Sequence, residues 1–377
     1  MLVFYLTGLG LSESQTGMLL TLILVGDTAV SLWMTTHADR FGCRRSLAVG
    51  ALLMVGAGLT FALTGRLWLL IVAGTIGVIS PSGNEVGPFL PIEQAALSEV
   101  IPQRARTEIF AWYTMAGAIA TAAGSLAAGL ITQALQRTGT TPLGSERAIV
   151  IQYAALGLLL AVIFQRLSPA AEAPLAAKTS LGIGSSRTVV LKLYALFSLD
   201  AFGGGFVIQS LAAYWFYLRF HVDPLTLGGI FFWANLFAGI SALLASRLAS
   251  RIGLVRTMVF THLPSNILLI LVPLMPNLRL AILVLLLRFS ISQMDVPTRQ
   301  SYLMAIVRPE ERSAAAGITG VARTTGAAIA PLFAGFLLGR PTLINLPFYL
   351  AGGLKIAYDL LLYRAFARLH PPEETRR

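Results

Sequence analysis

Arg288, Ser292, Asp295 and Arg299 recur at i, i+4, i+7 and i+11 inside an otherwise apolar run, a spacing that predicts one shared helix face. A stripe of guanidinium, hydroxyl and carboxylate can bind an anion or relay a proton; it can also neutralise itself, with Asp295 bridging Arg299 one turn on. Pro297 predicts a bend within it. A second run carries Ser82, Glu85 and Glu93 on one arc among Pro81, Gly83, Gly87, Pro88 and Pro91, which suits backbone that lines a cavity or is buried in protein. Asp27, Asp200 and Arg323 stand alone in apolar context. Asp200 precedes Gly203-Gly204-Gly205, and a desolvated carboxylate there can cycle a proton or make an interhelical hydrogen bond. Lys355 and Asp359, one turn apart, predict a simple salt bridge. His37, His221, His262 and His370 have no ligand spacing, and no phosphate loop, nucleophile elbow or zinc motif occurs, so no metal, cofactor or catalytic residue is expected.

The elements that hold these residues follow from composition. Hydrophobic residues make up 56% of the 377, charged residues 12%, and the mean hydropathy is +0.75. That charged fraction is about half the usual value for a soluble domain. An ionisable group at mid-membrane costs roughly 3 kcal/mol or more, so those above must pair or line a wet cavity. Uncharged runs predict spanning helices at about 15–37, 46–64, 67–98, 106–133, 147–165, 188–219, 224–249, 255–275, 278–305, 313–338 and 345–367. A short apolar stub, Met1 to Leu11, precedes them. The net charge of +11 resides largely in short loops, which sets orientation in a membrane and argues against a nucleic-acid partner. The single cysteine, Cys43, excludes an internal disulfide.

The chain repeats itself. Gly17, Arg40, Gly42 and Arg45 recur 211 positions on as Gly228, Arg251, Gly253 and Arg256; Gln94, Arg106 and Gly129 recur 206 positions on as Gln300, Arg312 and Gly335. The repeat divides the chain into an N-terminal bundle (1–165), a polar linker (166–187), a C-terminal bundle (188–367) and a tail (368–377). It also places the partner of the seventh helix's start before Met1, so about 20–25 further apolar residues are expected upstream, the stub being the end of a truncated first helix.

Thr35 to Arg45 resembles the signature loop of the major facilitator superfamily, which reads Gly-x-x-x-Asp-Arg-x-Gly-x-Arg-Arg. Asp39, Arg40, Gly42, Arg44 and Arg45 match, and Thr35 stands where the family has glycine. Gly42 permits a tight turn. The degenerate copy at Ser246–Arg256 has Ser250 in place of the acid. The resemblance implies an all-α membrane fold of two six-helix bundles related by a parallel repeat, here eleven full spans plus the truncated first. It implies that Asp39 contacts the start of the eleventh helix near Arg312, the loop gating transport. It further implies a secondary transporter that moves a small organic solute by alternating access, proton-coupled, with efflux left open because the Gly-Pro pair of family antiporters is missing from Gly117–Gly129. A monomer in the plasma (inner) membrane is expected, with protons and lipid as its other partners and no enzymatic activity. The competing class is a non-transporting polytopic sensor, scaffold or integral enzyme. Glu85, Glu93, Asp27, Asp200, Arg288, Asp295, Arg299 and Arg323 are the substrate- or proton-path candidates, with Glu93 and Arg299, repeat equivalents of opposite charge, expected to face one another as a pair.

Eighteen lysines and arginines lie on the side of the linker against Arg66, Arg137, Arg147, Arg219, Arg279 and Arg340 opposite, which predicts a cytoplasmic linker and C-terminus. Reporter fusions within 166–187 and after Arg377 should report cytoplasm, and one within 136–145 the outside; an outside linker overturns the orientation.

Overall fold

The computed structural model describes residues 1–82, 87–101, 106–168, 186–308 and 311–367, and every regular element among them is helical. Before the linker come α1 (Leu2–Gly8), α2 (Glu13–Phe41), α3 (Cys43–Leu63), α4 (Leu67–Ile76), α5 (Phe89–Val100), α6 (Arg106–Arg137) and α7 (Pro142–Gln165). After it come α8 (Arg187–Gly205), α9 (Gln209–Phe220), α10 (Pro224–Ile252), α11 (Leu254–Leu271), α12 (Leu278–Phe289), α13 (Asp295–Ile306), α14 (Arg312–Leu338) and α15 (Leu346–Phe366). Eight described stretches are long and apolar enough to cross a bilayer. The expected spans 67–98, 188–219 and 278–305 are instead broken, into α4 with α5, α8 with α9 and α12 with α13. Prolines and glycines crowd the first break, where Pro81, Gly87 and Pro88 remove donors or side-chain restraint.

Local chemistry starts and stops the helices. Thr141 accepts from the Gly144 N–H and Asp223 from the Thr226 N–H, each followed by proline at the first helical position. Asn277 caps α12 through the Leu280 N–H. Gly42 joins α2 to α3 at φ 86°, and Gly253 joins α10 to α11 at φ 90°, a region that a Cβ disfavours. These glycines are repeat equivalents, so the same turn is built twice.

The helix starts explain why two offsets were found. Leu67 to Leu278 is 278 − 67 = 211, whereas Phe89 to Asp295 is 295 − 89 = 206. The five-residue slip therefore falls within the helix break, which is longer in the first copy. From there α5 and α13 correspond residue for residue over their 12 positions.

The two copies meet through the glycines of the repeat. A Cβ on Gly17 would lie 2.4 Å from the Pro331 carbonyl and 2.9 Å from the Gly335 Cα; one on Gly129 would lie 2.5 Å from the Pro224 carbonyl and 3.0 Å from the Gly228 Cα. Thus α2 crosses α14 and α6 crosses α10 at backbone contact, and the two contacts are themselves repeat equivalents, Gly17 with Gly335 matching Gly228 with Gly129. Both crossings lie at the end opposite the linker. Between them α9 adds hydrogen bonds from Tyr214 to the Glu13 carboxylate (2.9 Å), from Gln209 Nε2 to Ser125 Oγ (3.2 Å) and from Ser210 Oγ to the Pro81 carbonyl (2.8 Å). Phe4 of α1 packs edge-on against Tyr214 and Tyr217. Small residues here let helices approach where lipid supplies no hydrophobic drive.

A side chain at these crossings should hold that end apart. In a Cys43→Ser background carrying Thr16→Cys, whose site is 1% exposed, membrane-impermeant maleimide should label Gly335→Val protein from the outside several-fold faster than the Gly335 parent. Equal labelling counts against this closure.

Candidate functional site

Asp200 is the centre of a buried charge cluster in the C-terminal half. Its Oδ2 accepts from Arg299 Nη1 at 3.0 Å, and its Oδ1 accepts from Lys355 Nζ at 2.7 Å. His262 Nε2 faces the same Oδ1 at 3.7 Å. Arg299 reaches on with Nη2 to Asp295 Oδ2 at 3.2 Å. On the far side of the imidazole, His262 Nδ1 lies 2.8 Å from Asp359 Oδ1, and Asn266 Nδ2 donates to Asp359 Oδ2 at 3.0 Å. The cluster ties α8, α11, α13 and α15 together, and Asp359 is wholly buried.

Each element has a reason to present its member. Gly203 and Gly204 leave a groove on α8 along which the Lys355 stem lies: a Cβ on Gly204 would sit 3.4 Å from Lys355 Cε. His262 and Asn266 are one turn apart on α11 on either side of Pro264, where the missing N–H loosens the helix. Asp295 opens α13, so the helix dipole favours its carboxylate, and Arg299 follows one turn later. The Arg299 guanidinium also lies 5.2 Å from the Phe197 ring.

Several expectations change. Asp200 is not alone in an apolar setting: it has three basic neighbours. Lys355 and Asp359 do not bridge each other; Lys355 turns to Asp200 and Asp359 to His262, because the two side chains point to different helices across the groove. Arg299 pairs with Asp200 and Asp295 rather than with Glu93, which instead accepts from the Tyr113 hydroxyl. Arg299 is thus satisfied within its own half. His262, expected to be one of four unremarked histidines, is the bridge of the cluster. A signal for it existed: two polar residues one turn apart flanking a proline in an apolar helix.

The expected Asp295–Arg299 bridge is present. The stripe leading to it is broken at residues 290–294, between α12 and α13. Arg288 lies at the end of α12, its guanidinium 4.9 Å from the Phe289 ring. Asp27 packs against Gly87 in the α4–α5 break, where an added Cβ would lie 2.7 Å from its Oδ1. Arg323 is exposed on α14, and Arg44 and Arg45 are exposed at the start of α3. Glu85 and the side chains of Asp39 and Arg40 lie outside the described residues.

Known proteins resemble the chain throughout its length. The family model described as "Major Facilitator Superfamily" matches residues 1–291 and 193–377. A Saccharomyces cerevisiae protein, "Uncharacterized membrane protein YJR124C", is 31% identical over 395 residues, covering 96% of this chain and 88% of the yeast one. Among solved structures, the xylose transporter XylE from E. coli, inward open, superposes with a TM-score of 0.73 at 15% identity, covering 97% of this chain and 90% of that one. The nucleoside transporter NupG superposes at 0.71 with 12% identity, covering 97% and 93%.

Removing one member of a buried ion pair leaves the other uncompensated, at about 3–5 kcal/mol. Lys355→Met and Asp200→Asn should each lower the thermal stability of purified protein, and the double variant should lie above the sum of the two losses. Strict additivity would mean that the two groups do not interact.

Proposed function

Because the chain belongs to the major facilitator superfamily, whose members are transporters, and is an integral membrane protein, we propose that it is a proton-coupled secondary carrier of a small organic solute in the plasma membrane. It works as a monomer by rocking its two halves about the glycine crossings. The path opens toward the linker when the crossings are closed and away from it when they part. Residues 1–165 and 188–367 form the rocking units, with the Asp39–Arg45 loop holding the cytoplasmic side of the cycle.

The observation that supports proton coupling is the position of His262 between two aspartates. A neutral imidazole carries one N–H. With that hydrogen on Nδ1, donated to Asp359 at 2.8 Å, the Nε2 lone pair faces the Asp200 carboxylate at 3.7 Å. A proton arriving on Nε2 turns this repulsion into a charge-assisted contact and competes with Lys355 and Arg299 for Asp200. The groups facing His262 are Asp200 from α8, Asp359 and the Tyr358 ring from α15, and Asn266 from its own helix, with Lys355 and Arg299 behind Asp200. One proton can therefore loosen the hold of α13 and α15 on α8.

Glu93 is the second reading. Among the described residues its partner is the Tyr113 hydroxyl and no cation meets it, so protonation removes a half-buried charge without breaking an ion pair.

The deciding measurement is solute uptake into proteoliposomes with and without an inward proton gradient. His262→Gln should abolish gradient-driven accumulation while solute exchange at equal pH persists, and Glu93→Gln should leave accumulation intact. The opposite pattern moves the proton to Glu93. Accumulation that survives in both variants, or a wild type blind to the gradient, overturns the proton reading.

A further inference from the structure

The charge cluster is balanced by a cation that touches none of its members. Asp200, Asp295 and Asp359 supply three negative charges; Arg299 and Lys355 supply two positive ones, and the third is Arg288. Among the described residues no carboxylate lies within salt-bridge distance of Arg288, although Asp295 and Asp200 are the charges it feels. It nonetheless belongs to the inner face of α12. Leu285 (3% exposed) and Ala281 (0%) precede it one and two turns back on that face, while Leu283 (52%) and Leu287 (50%) mark the opposite, lipid-facing side. Its place as the eleventh residue of a twelve-residue helix puts it about 15 Å into the bilayer, near the midplane.

A second orphan lies one turn on. Ser292 is 5% exposed, in the break between α12 and α13, and its Oγ has no hydrogen-bond partner; Arg288 Nε is buried and likewise unmet. Buried polar groups are ordinarily satisfied, and a guanidinium near mid-membrane more strictly than most. Both orphans are donors. They sit where the helical backbone is interrupted, between α12 and α13.

We infer that Arg288 and Ser292 form a subsite for the anionic group of the transported solute, a carboxylate or phosphonate-like head, so that the substrate class is organic anions. The inference rests on the carrier reading above and deepens it. Charge balance then links the subsite to His262. The cluster with Arg288 carries three charges of each sign; a bound monoanion leaves one negative charge in excess; one proton on His262 restores neutrality. Anion and proton are thus favoured together and disfavoured singly, the requirement for one-to-one coupled movement.

The test is equilibrium binding in detergent, with no gradient, so that it is independent of coupling. Thermal shift is read with butyrate, lactate, benzoate and methylphosphonate, each set against its uncharged match: butyramide, lactamide, benzamide and dimethyl methylphosphonate. At least one acid should stabilise the wild type while its neutral match does not. Ser292→Ala should weaken that acid several-fold, and Arg288→Gln on the order of tenfold or more, the loss expected for a charged hydrogen bond. Arg288→Gln also unbalances the cluster, so Arg288→Gln/Asp295→Asn, which restores the balance, is the control for folding. Recovered stability without recovered acid binding supports the subsite. Recovered acid binding in the double variant means Arg288 is only a counter-ion and overturns the proposal. So does equal stabilisation by the neutral matches, or stabilisation by none of the acids. Acid binding that persists where gradient-driven uptake fails would sink the proton reading and leave this one standing.

Discussion

A carboxylate buried in a bilayer-spanning bundle can stay ionised only where cations meet it, and Asp200 is met by two. Arg299 and Lys355 donate to its two oxygens, and His262 faces one of them. Solvation by water is not at hand at that depth, so the protein's own donors must substitute for it, and each donor comes from a different helix. The packing of the C-terminal half follows from that need. The Gly203–Gly204 groove, Pro264 within α11 and the start of α13 at Asp295 all serve to bring long side chains to one point. Burying ions in this way adds little net stability and a great deal of constraint, since each partner is costly to leave alone.

The same constraint gives the molecule something to switch. A cluster whose charges balance is stable as it stands, and any added charge must come with its opposite. In the proposed cycle this is what would couple binding to protonation without requiring the two groups to touch. In the N-terminal half the arrangement differs: Glu93, the repeat equivalent of Arg299, meets a tyrosine. Duplication set two helices in corresponding places, and the equivalent residues Glu93 and Arg299 now meet different partners.

Movement between the halves depends on a different kind of contact. At the crossings of α2 with α14 and of α6 with α10 the backbones themselves touch, through Gly17, Gly335, Gly129 and Gly228. Contacts of this sort rely on shape and not on charge, so they can part and re-form without exposing an unpaired ion. The ion pairs of the Asp200 cluster lie instead inside one half. Rocking at the glycines and rearrangement at the charges, as proposed above, would therefore be mechanically separable.

Much of this was legible in order of residues alone. Apolar runs marked the helices because a bilayer leaves the backbone no other way to satisfy itself; two constant offsets marked the duplication because equivalent glycines make equivalent turns and crossings. The slip from 211 to 206 was visible too, but only the helix starts at Leu67, Leu278, Phe89 and Asp295 placed it within the break. What linear order could not decide was pairing. Asp295 found Arg299 because one turn of helix joins them, and that was readable. Lys355 and Asp359 have the same spacing, yet each turns to a different helix, to Asp200 across 155 positions and to His262 across 97. Local spacing offers a partner; the three-dimensional fold decides whether a better one is nearer, because in low dielectric the shortest and best-aligned contact dominates.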